Sequence, residues 1–267
     1  MSNLSRYDYI NFKKGHWDSF IDAIYVITLE KSKRQSNVYK QINKFKLCKR
    51  NIIQINKKYT ESYNPELYKQ NSSNHLLYNN IQIFKHAESN NFNNILILED
   101  DFIFDDNIEN NIIKNKFEKF INKNKDFNLI YLGNIPLVFN IFNYSNLINV
   151  YINGQAHSII YSKNARNIII DNYNNKKRMW IDQHDIWYNF ILNKRYFYYK
   201  NICYQVQEET ENKKLWSNCI FDIFIKLLEF DKYNIDNYNY FYIYIYILHY
   251  ITLILIIYYI YKWIGIH

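Results

Sequence analysis

Ile95-Leu96-Ile97-Leu98-Glu99-Asp100-Asp101 is an unbroken apolar run that stops on three adjacent carboxylates. A run of this kind suits a strand covered on both faces, the environment of a central parallel strand in an α/β sheet. In open sheets of that class ligands bind in the crevice beyond the carboxyl ends of the strands, which is where Glu99, Asp100 and Asp101 would stand. Three neighbouring carboxylates repel one another, and a divalent cation offsets the repulsion; hard oxygen donors select Mg2+ or Mn2+. Helix capping or simple solvation of Asp100 and Asp101 is the competing reading.

On either side of this run the pattern alternates strand with helix. Ala23 to Leu29 is a short β-branched apolar run, a mixed helical stretch reaches about Phe45, and Asn51 to Ile55 forms a second strand. Pro65 suits the first turn of the next helix, whose stripe is Leu77, Ile81, Phe84 and Ala87. After the acidic triplet come a helical stripe (Ile113, Phe117, Phe120, Ile121), a buried strand (Leu129 to Leu132) ending at Gly133, and a strand at Ser158 to Tyr161. Helices follow with Ala165, Ile168 and Ile169, with Trp187, Phe190 and Ile191, and with Phe221, Phe224, Ile225 and Leu228. The alternation predicts an α/β fold over about residues 20–230.

The chain has 267 residues, of which 48% are hydrophobic and 22% charged, so it holds enough apolar material to fold. Only 4 glycines and 2 prolines occur, while Asn, Ile, Lys and Tyr, all from A/T-rich codons, are inflated. The few glycines that persist therefore mark positions where geometry demands them. The net charge of +8 follows largely from the same lysine excess. No block of five consecutive basic residues occurs, so no nucleic-acid partner is expected. Cys48, Cys203 and Cys219 are widely spaced and odd in number, which argues against a disulfide framework or a cysteine zinc site.

Residues 1–14 lack an apolar run of signal-peptide length. The 22 residues from Tyr240 to Tyr261 carry no Asp, Glu, Lys or Arg. As a helix they would measure about 33 Å, enough for a bilayer core of about 30 Å. Tyrosine makes up about a third of the stretch, and His249 falls inside it. Two readings stay open: a C-terminal transmembrane anchor over residues 238–264 with the catalytic domain on the cytosolic side, and a peripheral hydrophobic tail.

Leu98-Glu99-Asp100-Asp101-Phe102, with Ile24-Tyr25-Val26-Ile27-Thr28-Leu29 and Arg34 upstream, resembles glycosyltransferase family 25, the group of lipopolysaccharide-type sugar transferases and collagen galactosyltransferases. Ile130-Tyr131-Leu132-Gly133 resembles the strand after that family's acidic motif. Gly154 to Ala165, with His157 and Ser162, resembles its G-T-H-A-Y-x-x-S-x-x-A segment, and Ile181-Asp182 its next helix start. Asn79-Asn80, with His75 nearby, stand where the family usually carries a Ser-His pair.

The resemblance, over about residues 23–218, implies a GT-A type, Rossmann-like nucleotide-sugar-binding domain, to which the apolar C-terminal segment adds an expected hydrophobic helix. It also implies transfer of a hexose, galactose or glucose, from a nucleotide sugar such as a UDP-sugar to a hydroxyl of a glycan, lipid or protein acceptor. Glu99, Asp100 and Asp101 would then hold Mn2+ or Mg2+ against the diphosphate. Asp182 is the first candidate general base and Asp185 the second, against the reading that both are solvent-side acids on one helix face. Thr28, Arg34, Gly133, Gly154, His157 and Gln205 are the candidate substrate contacts, with Gln207 and Trp216 near them. A catalytically inactive relative that binds or scaffolds at a membrane is the alternative.

Overall fold

The computed structural model describes residues 6–61, 63–140, 142, 145–154, 157–177, 179, 181, 183–205 and 247–258. The chain opens with β1 (Arg6–Asn11), β2 (Ala23–Leu29), α1 (Gln35–Phe45), β3 (Arg50–Asn56), α2 (Ser72–Ser89) and β4 (Asn94–Glu99). It continues through β5 (Phe102–Phe104), α3 (Asn111–Lys123), β6 (Leu129–Gly133), β7 (Pro136–Phe139) and β8 (Leu147–Asn153). Last come β9 (Ser158–Ser162), α4 (Lys163–Asn174), α5 (His184–Ile191), β10 (Arg195–Tyr198) and β11 (Cys203–Gln205). Residues 247–258 form a further helix.

Nine strands build one mixed sheet in the order β1-β3-β2-β4-β9-β6-β10-β8-β7, and β11 pairs with β5 in a small second sheet. β2 is parallel to both β3 and β4. The chain thus leaves β2 through α1 to β3, then crosses back through α2 to β4 on the other side of β2. That reversal of winding places a topological switch point between the ends of β2 and β4.

Alternation along the strands divides the core. Tyr25, Ile27, Ile95 and Ile97 pack with α2, α4 and α5 on one face, while Ile24, Val26, Leu96 and Leu98 pack with α1 and α3 on the other. The four-residue apolar run needs cover on both faces, and the two helical layers supply it.

Polar caps fix the starts of α2 and α4. The Asn71 side chain accepts from Asn74 N at 2.8 Å and the Ser162 hydroxyl from Ala165 N at 3.1 Å. The first of these corrects an expectation: α2 begins at Ser72, so Pro65 lies in the turn region before it. Asn79 and Asn80 consequently fall inside the helix, and Ser73 and His75 stand in its first turn.

A second correction concerns the sheet. β4 is parallel only to β2, and its other neighbour β9 runs antiparallel, as it does against β6. An apolar run reports that a strand is covered and says nothing about the direction of its neighbours. The helix with Phe221 to Leu228 falls outside the described residues. So does most of the 238–264 segment, and among the described residues no helix is long and apolar enough to cross a membrane.

Candidate functional site

At the switch point the end of β2 meets the end of β4. The Thr28 hydroxyl donates to Asp100 Oδ2 at 2.7 Å, tying the two strand ends together. Arg34 stands at the start of α1, and its Nη1 reaches both Asp100 Oδ1 and Asp101 Oδ2 at 3.4 Å. These contacts bring together four residues that the sequence singled out for binding.

Gln205 joins them from the far end of the chain. β11 pairs antiparallel with β5 so that Gln205 lies opposite Phe102, next to Asp101. Its Nε2 donates to Asp101 Oδ2 at 3.0 Å. α1 secures β5 in turn: Asn37 Nδ2 donates to Phe102 O at 3.2 Å, and Phe104 N donates to Gln41 Oε1 at 3.1 Å. Asn37 and Gln41 carry no motif. Only their spacing of four along a helix could have suggested that they face the same neighbour.

The carboxylate triplet does not act as one cage. By the alternation of β4, Glu99 shares the face of Ile95 and Ile97, whereas Asp100 and Asp101 meet Thr28 and Arg34 around the strand ends. Among the described residues no group of three His, Cys, Asp or Glu is arranged to hold a metal ion by itself.

Burial holds the Glu99 carboxyl well above the usual carboxylate range, with Asp101, Asp100 and Asp185 adding repulsion and Arg34 opposing it. Burial also pushes Asp101 up to about 6, against the pull of Gln205 and Arg34. Asp101 is 3% exposed, and its Oδ1 has no hydrogen-bond partner. A buried acceptor left open in this way is costly unless a ligand, ion or water completes it.

Asp185 lies in the first turn of α5, half-buried, with its carboxyl raised by burial, and it is close enough to Glu99 to repel it. Asp182 lies outside the described residues. Gln207 and Trp216 also lie outside the described residues.

His157 precedes β9, and its carbonyl accepts from Glu99 N at 3.0 Å. Its ring is buried between Gly133 and Cys203 O, with Nε2 at 3.4 Å from that carbonyl, the geometry of a neutral ring donating from Nε2. Burial drops its pKa to about 4. His157 thus packs between β6 and β11 at the start of β9, next to the acidic strand end. Gly133 is where it is because a side chain there would collide with this histidine and with Cys203 O. Gly154 is different: its N–H donates to Ile135 O at 3.0 Å, and a side chain there would meet nothing nearer than Leu137 Cδ1 at 3.6 Å.

Sequence reasoning missed Tyr131, Tyr161 and Tyr188, which are buried on the same face as Glu99. Burial raises all three phenols, with charge repulsion from Glu99 or Asp185 contributing. In a chain with 28 tyrosines, composition hid them.

No known protein family matches the sequence, and no curated protein does. Among solved structures, A197 from STIV is similar at TM-score 0.36 and 8% identity, over 72% of this chain and 87% of that one. A glycosyltransferase involved in the glycosylation of the major capsid of PBCV-1 is similar at TM-score 0.38 and 10% identity, over 72% and 96%. Neither score assigns an activity to this chain.

Proposed function

We propose that the chain is a metal-assisted glycosyltransferase of GT-A type that moves a hexose from a nucleotide sugar to a hydroxyl acceptor. One observation carries the reading: a buried aspartate, Asp101, with an open Oδ1, flanked by Arg34, Gln205 and Asp100 at a switch point between parallel strands.

These donors fit a divalent cation. Mg2+ and Mn2+ in phosphate-transfer sites take one or two protein carboxylates and complete their shell with water and substrate phosphates, so a three-carboxylate cage is not required. Asp101 and Asp100 would hold the ion, with Glu99 behind them. When bound, it supplies charge stabilisation to a departing nucleoside diphosphate.

The chain's own groups do the rest. Arg34 keeps the two aspartates from repelling each other and presents a guanidinium to the donor's phosphates. Gln205 orients Asp101. Asp185, with a raised carboxyl near Glu99, suits acceptance of the acceptor's proton, because a base of higher pKa takes a proton more readily.

Purified full-length protein incubated with Mn2+ and a panel of nucleotide sugars should hydrolyse or transfer one donor, and Asp101→Asn should remove that turnover while leaving the fold intact. No turnover of any donor by folded protein would leave the alternative, an inactive relative that binds. The pairing of Arg34 with both aspartates is the observation on the side of that alternative, since one of their two charges is then offset without a metal.

A further inference from the structure

The face of the sheet that packs on α2, α4 and α5 turns from apolar to polar toward the end of β4. Gln54 in β3, Ile27 in β2 and Glu99 in β4 form one row across the sheet, since Ile27 pairs with both of the others. Gln54 Nε2 donates to Asn79 O at 3.2 Å, which sets Asn79 and Asn80 of α2 at the level of Glu99. Asp185 reaches the same place from the first turn of α5, near enough to repel Glu99. Tyr131 in β6 and Tyr188 in α5 complete the cluster, and the charge of Asp185 acts on both phenols.

Three of these side chains are deeply buried with a polar atom unpartnered. Among the described residues, Tyr131 OH, Tyr188 OH and Asn80 Oδ1 have no hydrogen-bond partner, and the three residues are 1%, 0% and 3% exposed. Arg195 Nε, beside Tyr131, is a fourth such atom, although the two Nη groups are held by Asn189 Oδ1 and Tyr151 O. Buried polar atoms are nearly always paired, because leaving one unpaired forfeits its hydration without return. Four around one cluster point to a ligand that supplies the partners. Glu99 and Asp185 keep part of their surface in solvent, so the cluster can be reached from their side.

The unpartnered atoms are of both kinds. Phenol hydroxyls donate and accept, the amide and carboxyl oxygens accept, and the guanidinium Nε donates. A phosphate offers mainly acceptors and an ammonium only donors, so neither satisfies the set. Sugar hydroxyls do both. We propose that Asn80, Glu99, Tyr131, Asp185 and Tyr188 bind a neutral hexose on the side of β4 opposite α1, through its hydroxyls. That the ligand is a neutral polyhydroxyl group follows from the atoms; that it is a hexose rests on the sugar-transfer reading. The hexose of a donor and that of an acceptor share this chemistry.

Saturation-transfer NMR on the full chain tests the site, with methyl β-galactopyranoside and methyl β-glucopyranoside as probes and thermal melts alongside. One of the two glycosides is expected to bind. Tyr131→Phe and Tyr188→Phe should each weaken that binding about three- to tenfold, the worth of one hydrogen bond. Without sugar the same variants should melt no lower than wild type, because each loses an unpartnered hydroxyl and keeps its ring; a phenol with a structural role would lower Tm when lost. The matching UDP-hexose with Mn2+ assigns the source: displacement of the glycoside marks the donor's hexose, and retention marks the acceptor's. Folded protein that binds neither glycoside, or binding indifferent to both phenylalanines, would overturn the proposal. Nucleotide-sugar turnover under that result would leave the transferase reading standing. Glycoside binding weakened by the phenylalanines, without turnover of any donor, would support the site and count against the transferase.

Discussion

Replacing Gly133 by alanine places a methyl carbon 1.9 Å from Cys203 O and 2.6 Å from His157 Nε2. A carbon and a carbonyl oxygen approach to about 3.3 Å, so β6 and the β11 segment must part by about 1.4 Å. The obstacle is backbone, which cannot rotate away as a flexible side chain would. Ile202 N donates to Leu132 O at 2.9 Å beside this contact, and that bond stretches first. Overpacking costs about 1–3 kcal/mol and a lost hydrogen bond about 1 kcal/mol more, for a total of about 2–4 kcal/mol. At about 2–4 °C per kcal/mol for a domain of this size, Tm should fall by about 5–15 °C. Gln205, two residues beyond Cys203, moves with the strand and lets go of Asp101, so turnover should fall as well. Gly154→Ala is the internal control, because its new methyl meets nothing nearer than Leu137 Cδ1 at 3.6 Å and should shift stability by less than about 0.5 kcal/mol. Thermal melts of the two variants side by side decide the matter. A Gly133→Ala protein that melts with wild type, or a Gly154→Ala protein that falls as far, would refute the reasoning.

Three further outcomes are expected. Arg34→Gln should cut turnover at least about tenfold, since Asp100 and Asp101 lose the cation they share, and unchanged kinetics would remove Arg34 from the site. Burial of neutral His157 lowers its folded-state pKa from 6.5 to about 4, so its contribution is intact above pH 6.5 and is lost as pH falls toward 4. The loss reaches about 3 kcal/mol, and urea unfolding against pH should show it in wild type but not in His157→Gln; parallel curves would count against a buried neutral ring. Leu96→Ala, at a fully buried position of β4, should cost about 2–5 kcal/mol by chemical denaturation, and a cost under about 1 kcal/mol would mean the strand is not at the centre of the core.

The strands that could be read from the sequence are β2, β3, β4, β6 and β9, because their apolar runs register cover on both faces. Helical stripes likewise marked α2 to α5. β1 escaped because its edge position leaves Arg6, Tyr9 and Asn11 exposed, and a polar aromatic string carries no burial signal. β5 and β11 are three residues each, too short for any period to register. In the site, the acidic triplet was legible because it ends a readable strand, while Thr28 and Arg34 entered through the family resemblance of the β2 segment. Gln205 could be placed only by position, since what brings it to Asp101 is a pairing across about 100 residues between two strands that sequence could not show. The difference between Gly133 and Gly154 was equally invisible, as it depends on Cys203 O and on Leu137.

The place of β9 between β4 and β6 bears on how the chain reaches its fold. β9 is made last of the three, about 60 residues after β4 as measured from Leu98 to Ser158. Until it emerges from the ribosome, β4 and β6 have no common partner, and the backbone of Ile95 to Leu98 is an open apolar edge. Pairings this distant in sequence form slowly, and unpaired edges invite other chains to add to them. A fragment ending near residue 150 therefore cannot complete the sheet and should aggregate. The candidate site needs residues later still: Glu99 N donates to His157 O, and Asp101 Oδ2 accepts from Gln205, so such a fragment lacks both partners of the acidic strand end.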